Sequence, residues 1–116
     1  MSRGGAGRKS PVADTYTIGQ ERAAGGAATL LRLSGELDIN ARDDLRHAIV
    51  GALDDGAEDL VLDMAEVTFI DSEALGALID GYNAARTRAA GFRLINATGV
   101  VKRVLTVSGA ADLFGS

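Results

Sequence analysis

The sequence predicts an α/β fold, a single domain in which a mixed β-sheet is flanked by α-helices. Three observations predict it. Two strand-like runs open the ordered part of the chain at hairpin distance, and helical and strand-like apolar spacings then alternate to the end. The length of 116 residues suits one hydrophobic core and is short for two. Hydrophobic residues make up 47% of the chain and aromatics only 4%, so that core must be built from Leu, Ile, Val and Ala.

The elements follow in order. Met1 to Pro11 is small, polar and basic without periodicity and reads as a disordered tail. This sets the tail at residues 1–13 and the domain at residues 14–116. Tyr16 to Ile18 gives a short strand signal, Gly19 to Ala28 with Gly25-Gly26 suits a hairpin turn, and Thr29 to Leu33 is the partner strand. Ser34 to Asn40 breaks the strand pattern, and Asn40 is expected to cap a helix carried by Leu45, Ala48, Ile49, Ala52 and Leu53, with Asp43 and Asp44 in its first turn. Asp54-Asp55-Gly56 ends that helix.

Leu60 to Met64 is apolar on nearly every residue, as a central parallel strand tends to be. Ala65 to Asp71 is expected to be a turn. It leads into a helix whose stripe is Leu75, Leu78, Ile79 and Tyr82, with Gly91 marking the turn beyond. Phe92 to Asn96 is the last strand. Thr98 is expected to cap a final helix that turns Val100, Val101, Val104 and Leu105 inward and stops at Ser108-Gly109.

Several function classes lose support at this stage. No segment approaches the ~20 apolar residues of a membrane-spanning helix, and no secretory signal pattern opens the chain, which places the protein in the cytoplasm. The absence of Cys removes disulfides, thiolate metal sites and thiol nucleophiles. With a net charge of −4 and scattered cations, nothing resembles a nucleic-acid footprint. Neither a nucleophile elbow nor a phosphate-cradling glycine loop is present. Glu36, Asp38, Asp63, Glu66, Asp71 and Glu73 gather around the strand ends, where solvated surface is the weightier reading and a magnesium site the weaker one. His47 reads as surface. The expectation is therefore no enzyme, no catalytic residue, no cofactor and no metal.

The informative junction is Phe69-Ile70-Asp71-Ser72, where an apolar approach ends and Ser72 falls in the first turn of a helix. A helix N-terminus carries unpaired N–H groups and about half a positive charge, so a phosphate on Ser72 would be accommodated there. It would add roughly −1.5 to −2 charge beside Asp71 and Glu73 and repel a partner that docks on the neutral hydroxyl. Local sequence alone favours the plainer role of Asp71 or Ser72 as a helix cap.

Wider context changes that balance. Leu31-Arg32-Leu33-Ser34-Gly35-Glu36-Leu37-Asp38, the strand Leu60 to Met64, Val67 to Ser72 with Leu75-Gly76, and Val101-Lys102-Arg103-Val104-Leu105 with Ser108-Gly109 together resemble the STAS family of anti-sigma factor antagonists. The segments stand in the family's order and cover most of Thr15 to Phe114. The resemblance implies a protein that binds an anti-sigma factor of the serine-kinase type and thereby frees a sigma factor. It implies inactivation by phosphorylation of Ser72 and restoration by a serine phosphatase. It also implies a partner surface drawn from Asp38, Asn40, Asp71, Ser72, Glu73, Leu75 and Gly76, with no membrane and no nucleic acid involved.

Two departures qualify the likeness. Glu73-Ala74 stands where the family usually has Ser-Gly. The chain also stops at Ser116, where family members commonly add a further strand and helix, and an edge left uncovered predicts self-association, as in a homodimer, or partner docking. The alternative reading is a non-phosphorylated STAS scaffold or sensor module in a signalling complex, and a third is a small ligand-binding or enzymatic domain that uses the carboxylates around the strand ends.

Overall fold

The computed structural model describes residues 15–23, 25 and 27–114, so the tail predicted at residues 1–13 lies outside the described residues. Eight elements follow one another: β1 (Tyr16–Arg22), β2 (Ala28–Leu37), α1 (Ile39–Asp54), β3 (Asp59–Ile70), α2 (Ser72–Thr87), β4 (Gly91–Ile95), α3 (Gly99–Val107) and α4 (Ala110–Phe114). The strands form one mixed sheet in sequence order. β1 and β2 make an antiparallel hairpin, while β2, β3 and β4 run parallel.

Alternation assigns the two faces of this sheet. Rows such as Leu31, Leu62 and Leu94 stand opposite one another and are buried, together with Leu33, Leu60, Met64 and Phe92. The buried side chains of all four helices join this one face in a single core. α1 contributes Ala41, Leu45, Ile49, Ala52 and Leu53, and α2 contributes Ala74, Leu75, Ala77, Leu78 and Ala85. Gly81 sets how closely α1 and α2 cross, because a Cβ there would meet Cδ1 and Cγ2 of Ile49 at 2.8 Å. The opposite sheet face carries charge instead: Glu21 pairs with Arg32 at 3.1 Å, and Thr17 shares a hydroxyl hydrogen bond with Ser34.

Phe114 of α4 closes one end of the core against Tyr82 and Phe92, with ring centroids at 5.9 and 5.6 Å.

Several expectations are corrected. β1 does not turn at Gly19 but stays paired with β2 as far as Arg22. β2 does not break at Ser34 but continues to Leu37 through two register shifts, at Arg32/Ser34 and Gly35/Glu36, where bulges absorb the irregular pattern. Gly35 takes φ +83, and any side chain there would collide with the Thr15 carbonyl. The expected turn from Ala65 to Asp71 is strand as far as Ile70, because β2 pairs with β3 along this stretch.

At the start of α1, Asp38 rather than Asn40 is the N-cap, accepting from the Asn40 N–H at 2.9 Å, so Asp43 and Asp44 fall beyond the first turn. Val100 does not turn inward but is 57% exposed. Thr98 stands at the N-cap of α3 without a side-chain hydrogen bond, and a further short helix, α4, follows Ser108-Gly109.

Candidate functional site

Two parallel strands ending at the same level create the site. Leu37 and Ile70 are register partners at the carboxyl ends of β2 and β3, both nearly fully buried, and the Asp71 N–H donates to the Leu37 carbonyl at 3.0 Å. The residue after each strand is an aspartate in extended conformation that caps the next helix. Asp71 Oδ1 accepts from the Ala74 N–H at 2.9 Å, while its carbonyl takes the Leu75 N–H at 2.9 Å. α1 and α2 therefore begin side by side on one edge of the domain, with Ile39 and Ser72 as their first residues.

Ser72 is exposed, and its hydroxyl makes no hydrogen bond among the described residues. Asp71 already serves as the cap, so the hydroxyl is not needed to satisfy the helix end. This separates the two roles that local sequence left open: Asp71 caps, and Ser72 is left free. Ser72 and Glu73 open the helix, where N–H groups lack partners within it.

Flanking Asp38 and Ile70 in sequence are two exposed apolar side chains that the sequence reading did not assign to a partner surface. Ile39 is 53% exposed and Phe69 is 43% exposed. Their signal was present in the sequence, since each is a large apolar residue directly beside a capping position or a strand end. On the sequence Ile39 belongs to the stretch that breaks the strand pattern, and Phe69 to the apolar approach to Asp71. Asp38 is half-buried and Asn40 exposed on the same edge. Leu75 is buried at 8% exposure and serves the core, and Gly76 is half-buried with open space where a Cβ would stand.

The electrostatics of the edge come from α1. Arg42 Nη1 donates to Glu73 Oε1 at 2.7 Å, and Arg42 Nε lies 3.4 Å from Asp43 Oδ1. These hydrogen bonds, to Glu73 foremost and then to Asp43, hold the guanidinium even more firmly protonated than usual. One helical turn further along, Arg46 pairs with Asp80 of α2 at 2.9 Å, and Arg88 beyond the end of α2 pairs with Asp54 at 2.6 Å. The charge that Glu73 brings beside Ser72 is therefore matched across the helix pair, a link of 31 positions in sequence.

The remaining carboxylates do not converge on a common centre. Asp63 Oδ1 accepts from the Ala65 N–H and from Asn96 Nδ2, both at 3.0 Å. The Ala65 bond, then the Asn96 bond and the charge of Arg32, hold its carboxyl below the ordinary aspartate range against partial desolvation. Among the described residues no group of three or more His, Cys, Asp or Glu side chains is placed to hold a metal ion. No helix among them is long and apolar enough to cross a membrane. His47 is exposed on α1.

The comparisons agree with this architecture. A family model described as Mlab, STAS domain, matches residues 21–115. An anti-sigma factor antagonist from Mycobacterium paratuberculosis is similar at 24% identity and a TM-score of 0.77, covering 92% of this chain and 87% of that one. The anti-sigma factor antagonist SpoIIAA of Bacillus, in its unphosphorylated form, gives 22% identity and a TM-score of 0.74 with 84% of each chain covered. Its phosphorylated form gives 22% identity and 0.67, covering 84% of this chain and 87% of that one. At these identities the structural likeness is one of fold.

Proposed function

The chain belongs to the STAS domain family, and from that premise we propose that it acts as an anti-sigma factor antagonist in the cytoplasm. It binds an anti-sigma factor of the serine-kinase type, releases a sigma factor, and is inactivated when that kinase phosphorylates Ser72. A serine phosphatase resets it. The observation that carries this reading is the exposed Ser72 hydroxyl, which stands at the first position of α2 and is released from capping duty by Asp71.

The geometry supports each step in physical terms. Docking uses the edge where Ile39 and Phe69 offer apolar surface and Asp38, Asn40, Asp71 and Gly76 border it, an apolar centre with a polar rim. Phosphorylation forms a bond from Ser72 Oγ to the γ-phosphorus of the kinase's ATP as the bond to ADP breaks, ADP leaving and the hydroxyl proton being lost. The helix start then shelters the new dianion rather than unfolding around it. The partner loses a surface matched to a neutral hydroxyl, and two added charges at a desolvated contact are enough to release it. That SpoIIAA, a protein of the same fold, has been solved in a phosphorylated form supports the reading.

A second reading, a STAS scaffold that is never phosphorylated, is favoured by Glu73, which stands where the resemblance expects a neutral residue. The two are separated by affinity capture from host lysate with ATP or ADP, comparing wild-type bait with Ser72→Asp and identifying the retained proteins by mass spectrometry. Retention of an ATP-binding anti-sigma kinase by wild type alone is the expected result. The same non-kinase assembly on both baits would overturn the switch in favour of the scaffold.

A further inference from the structure

We propose that Arg42 is the binding residue for the phosphoryl group on Ser72, and that Glu73 holds it ready in the unmodified protein. This rests on the reading of Ser72 as the modified residue and adds to it the group on α1 that receives the phosphate.

Ser72 and Glu73 are consecutive, so their Cα atoms lie ~3.8 Å apart. A phosphoserine carries its terminal oxygens about as far from the backbone as a glutamate carries its carboxylate. Arg42 Nη1 already stands 2.7 Å from Glu73 Oε1, and a phosphate on the preceding residue lies about 100° around the helix axis, a step the guanidinium takes by rotating its own side chain. Neither end of the pair is locked by burial, since the Arg42 and Glu73 side chains are 35% and 47% exposed. The exchange therefore requires no repacking of the core.

The competition for Arg42 is then decided by charge and shape. Glu73 offers one negative charge, whereas a phosphomonoester offers roughly −1.5 to −2 and three acceptor oxygens that a guanidinium engages in bidentate fashion. Besides Glu73, the guanidinium faces Asp43 on its own helix at 3.4 Å, and Arg46 one turn on shares that Asp43 at 3.7 Å. Arg46 stays engaged with Asp80 at 2.9 Å. Asp71 has its Oδ1 committed to the Ala74 N–H. Arg42 is therefore the cation at hand. When it moves to the phosphate, Glu73 is left bare, so the partner meets an unmasked carboxylate as well as the modification. The pair explains how a glutamate can sit beside the phosphoacceptor: Arg42 neutralises it while docking is wanted and releases it when docking is to end.

The test uses the full chain with phosphoserine installed at position 72 during translation, so the titration needs neither the kinase nor the partner, and the partner retained by the wild-type bait enters only in a separate binding measurement. The second ionisation of the phosphate is followed by 31P NMR titration in wild type, Arg42→Gln and Arg42→Lys, with circular dichroism confirming that each is folded. Wild type is expected to titrate about half a pH unit or more below Arg42→Gln. Arg42→Lys, which keeps charge without the planar fork, is expected to lie between them. Titrations of wild type and Arg42→Gln that coincide would overturn the assignment. Undiminished partner binding by the phosphoserine protein would overturn the proposed switch while leaving an Arg42-dependent titration standing, so the two failures are distinguishable.

Discussion

The starts of α1 and α2 are near copies of each other and differ where it matters. Each follows a parallel strand at register-matched residues, Leu37 and Ile70, and each is capped by an aspartate side chain. At the first helical position one has Ile39 and the other Ser72. The scaffold thus presents an apolar anchor and a free hydroxyl side by side on the same edge, so adhesion and modification need not compete for one residue. The charges differ in a complementary way, with Arg42 on α1 facing Glu73 on α2. Duplicating a helix start and varying its first turn suffices to set an apolar side chain, an exposed hydroxyl and a cross-helix ion pair on one edge.

The largest test of this equivalence is at the roots. Leu37→Ala and Ile70→Ala each remove a buried side chain beneath one helix start and are expected to cost about 2–5 kcal/mol in denaturant unfolding. A negligible loss at either residue would mean that the two starts are not rooted alike. Next come the caps: Asp38→Ala and Asp71→Ala are each expected to destabilise by ~1 kcal/mol, and a large inequality would show that the bond to the second N–H and the bond to the third are not interchangeable. The first positions should matter least for folding. Ser72→Ala and Ile39→Ser are expected to leave unfolding free energy within ~0.5 kcal/mol of wild type. In partner binding they should part company, Ile39→Ser weakening it and Ser72→Ala preserving it while abolishing control by the kinase.

The smallest effect lies away from the edge and serves as its control. Because Asp63 titrates below its unfolded value, its contribution to stability is present above the unfolded pKa of ~3.9 and lost as pH falls through the folded one. Comparing Asp63→Asn with wild type, the stability gap should therefore be present near neutrality and close in acid. A gap that widened in acid would contradict the hydrogen bonds from Ala65 and Asn96.

Where apolar spacing was regular, the sequence was easy to read. The stripes of α1 and α2 follow from helical spacing, the interior place of β3 from its unbroken apolar run, and the opening hairpin from two strand-like runs about Gly25-Gly26. Reading failed where regularity itself fails. The bulges around Gly35 shift the alternation of β2, so a continuing strand looked like a loop. Ala65-Glu66 interrupts the apolar run of β3, although pairing with β2 carries the strand on to Ile70. Asp38 was displaced as cap by Asn40 because helical spacing alone does not say where a helix begins when Ile39 faces solvent. The motif Asp71-Ser72 was legible, as was the strangeness of Glu73. The partner that makes Glu73 tolerable sits on another helix, and only folding brings them together.

β3 extends well past β4, whose pairing ends at the Asp63–Ile95 position, while β2 accompanies β3 to Ile70. The stretch that delivers Ser72 is thus a cantilever, fastened by ladder hydrogen bonds along one side only. Its amides should exchange with deuterium through openings that spare the doubly flanked half of the same strand. The singly fastened tip is thereby the part of the strand free to open by itself, with the doubly flanked half as the wall that holds it.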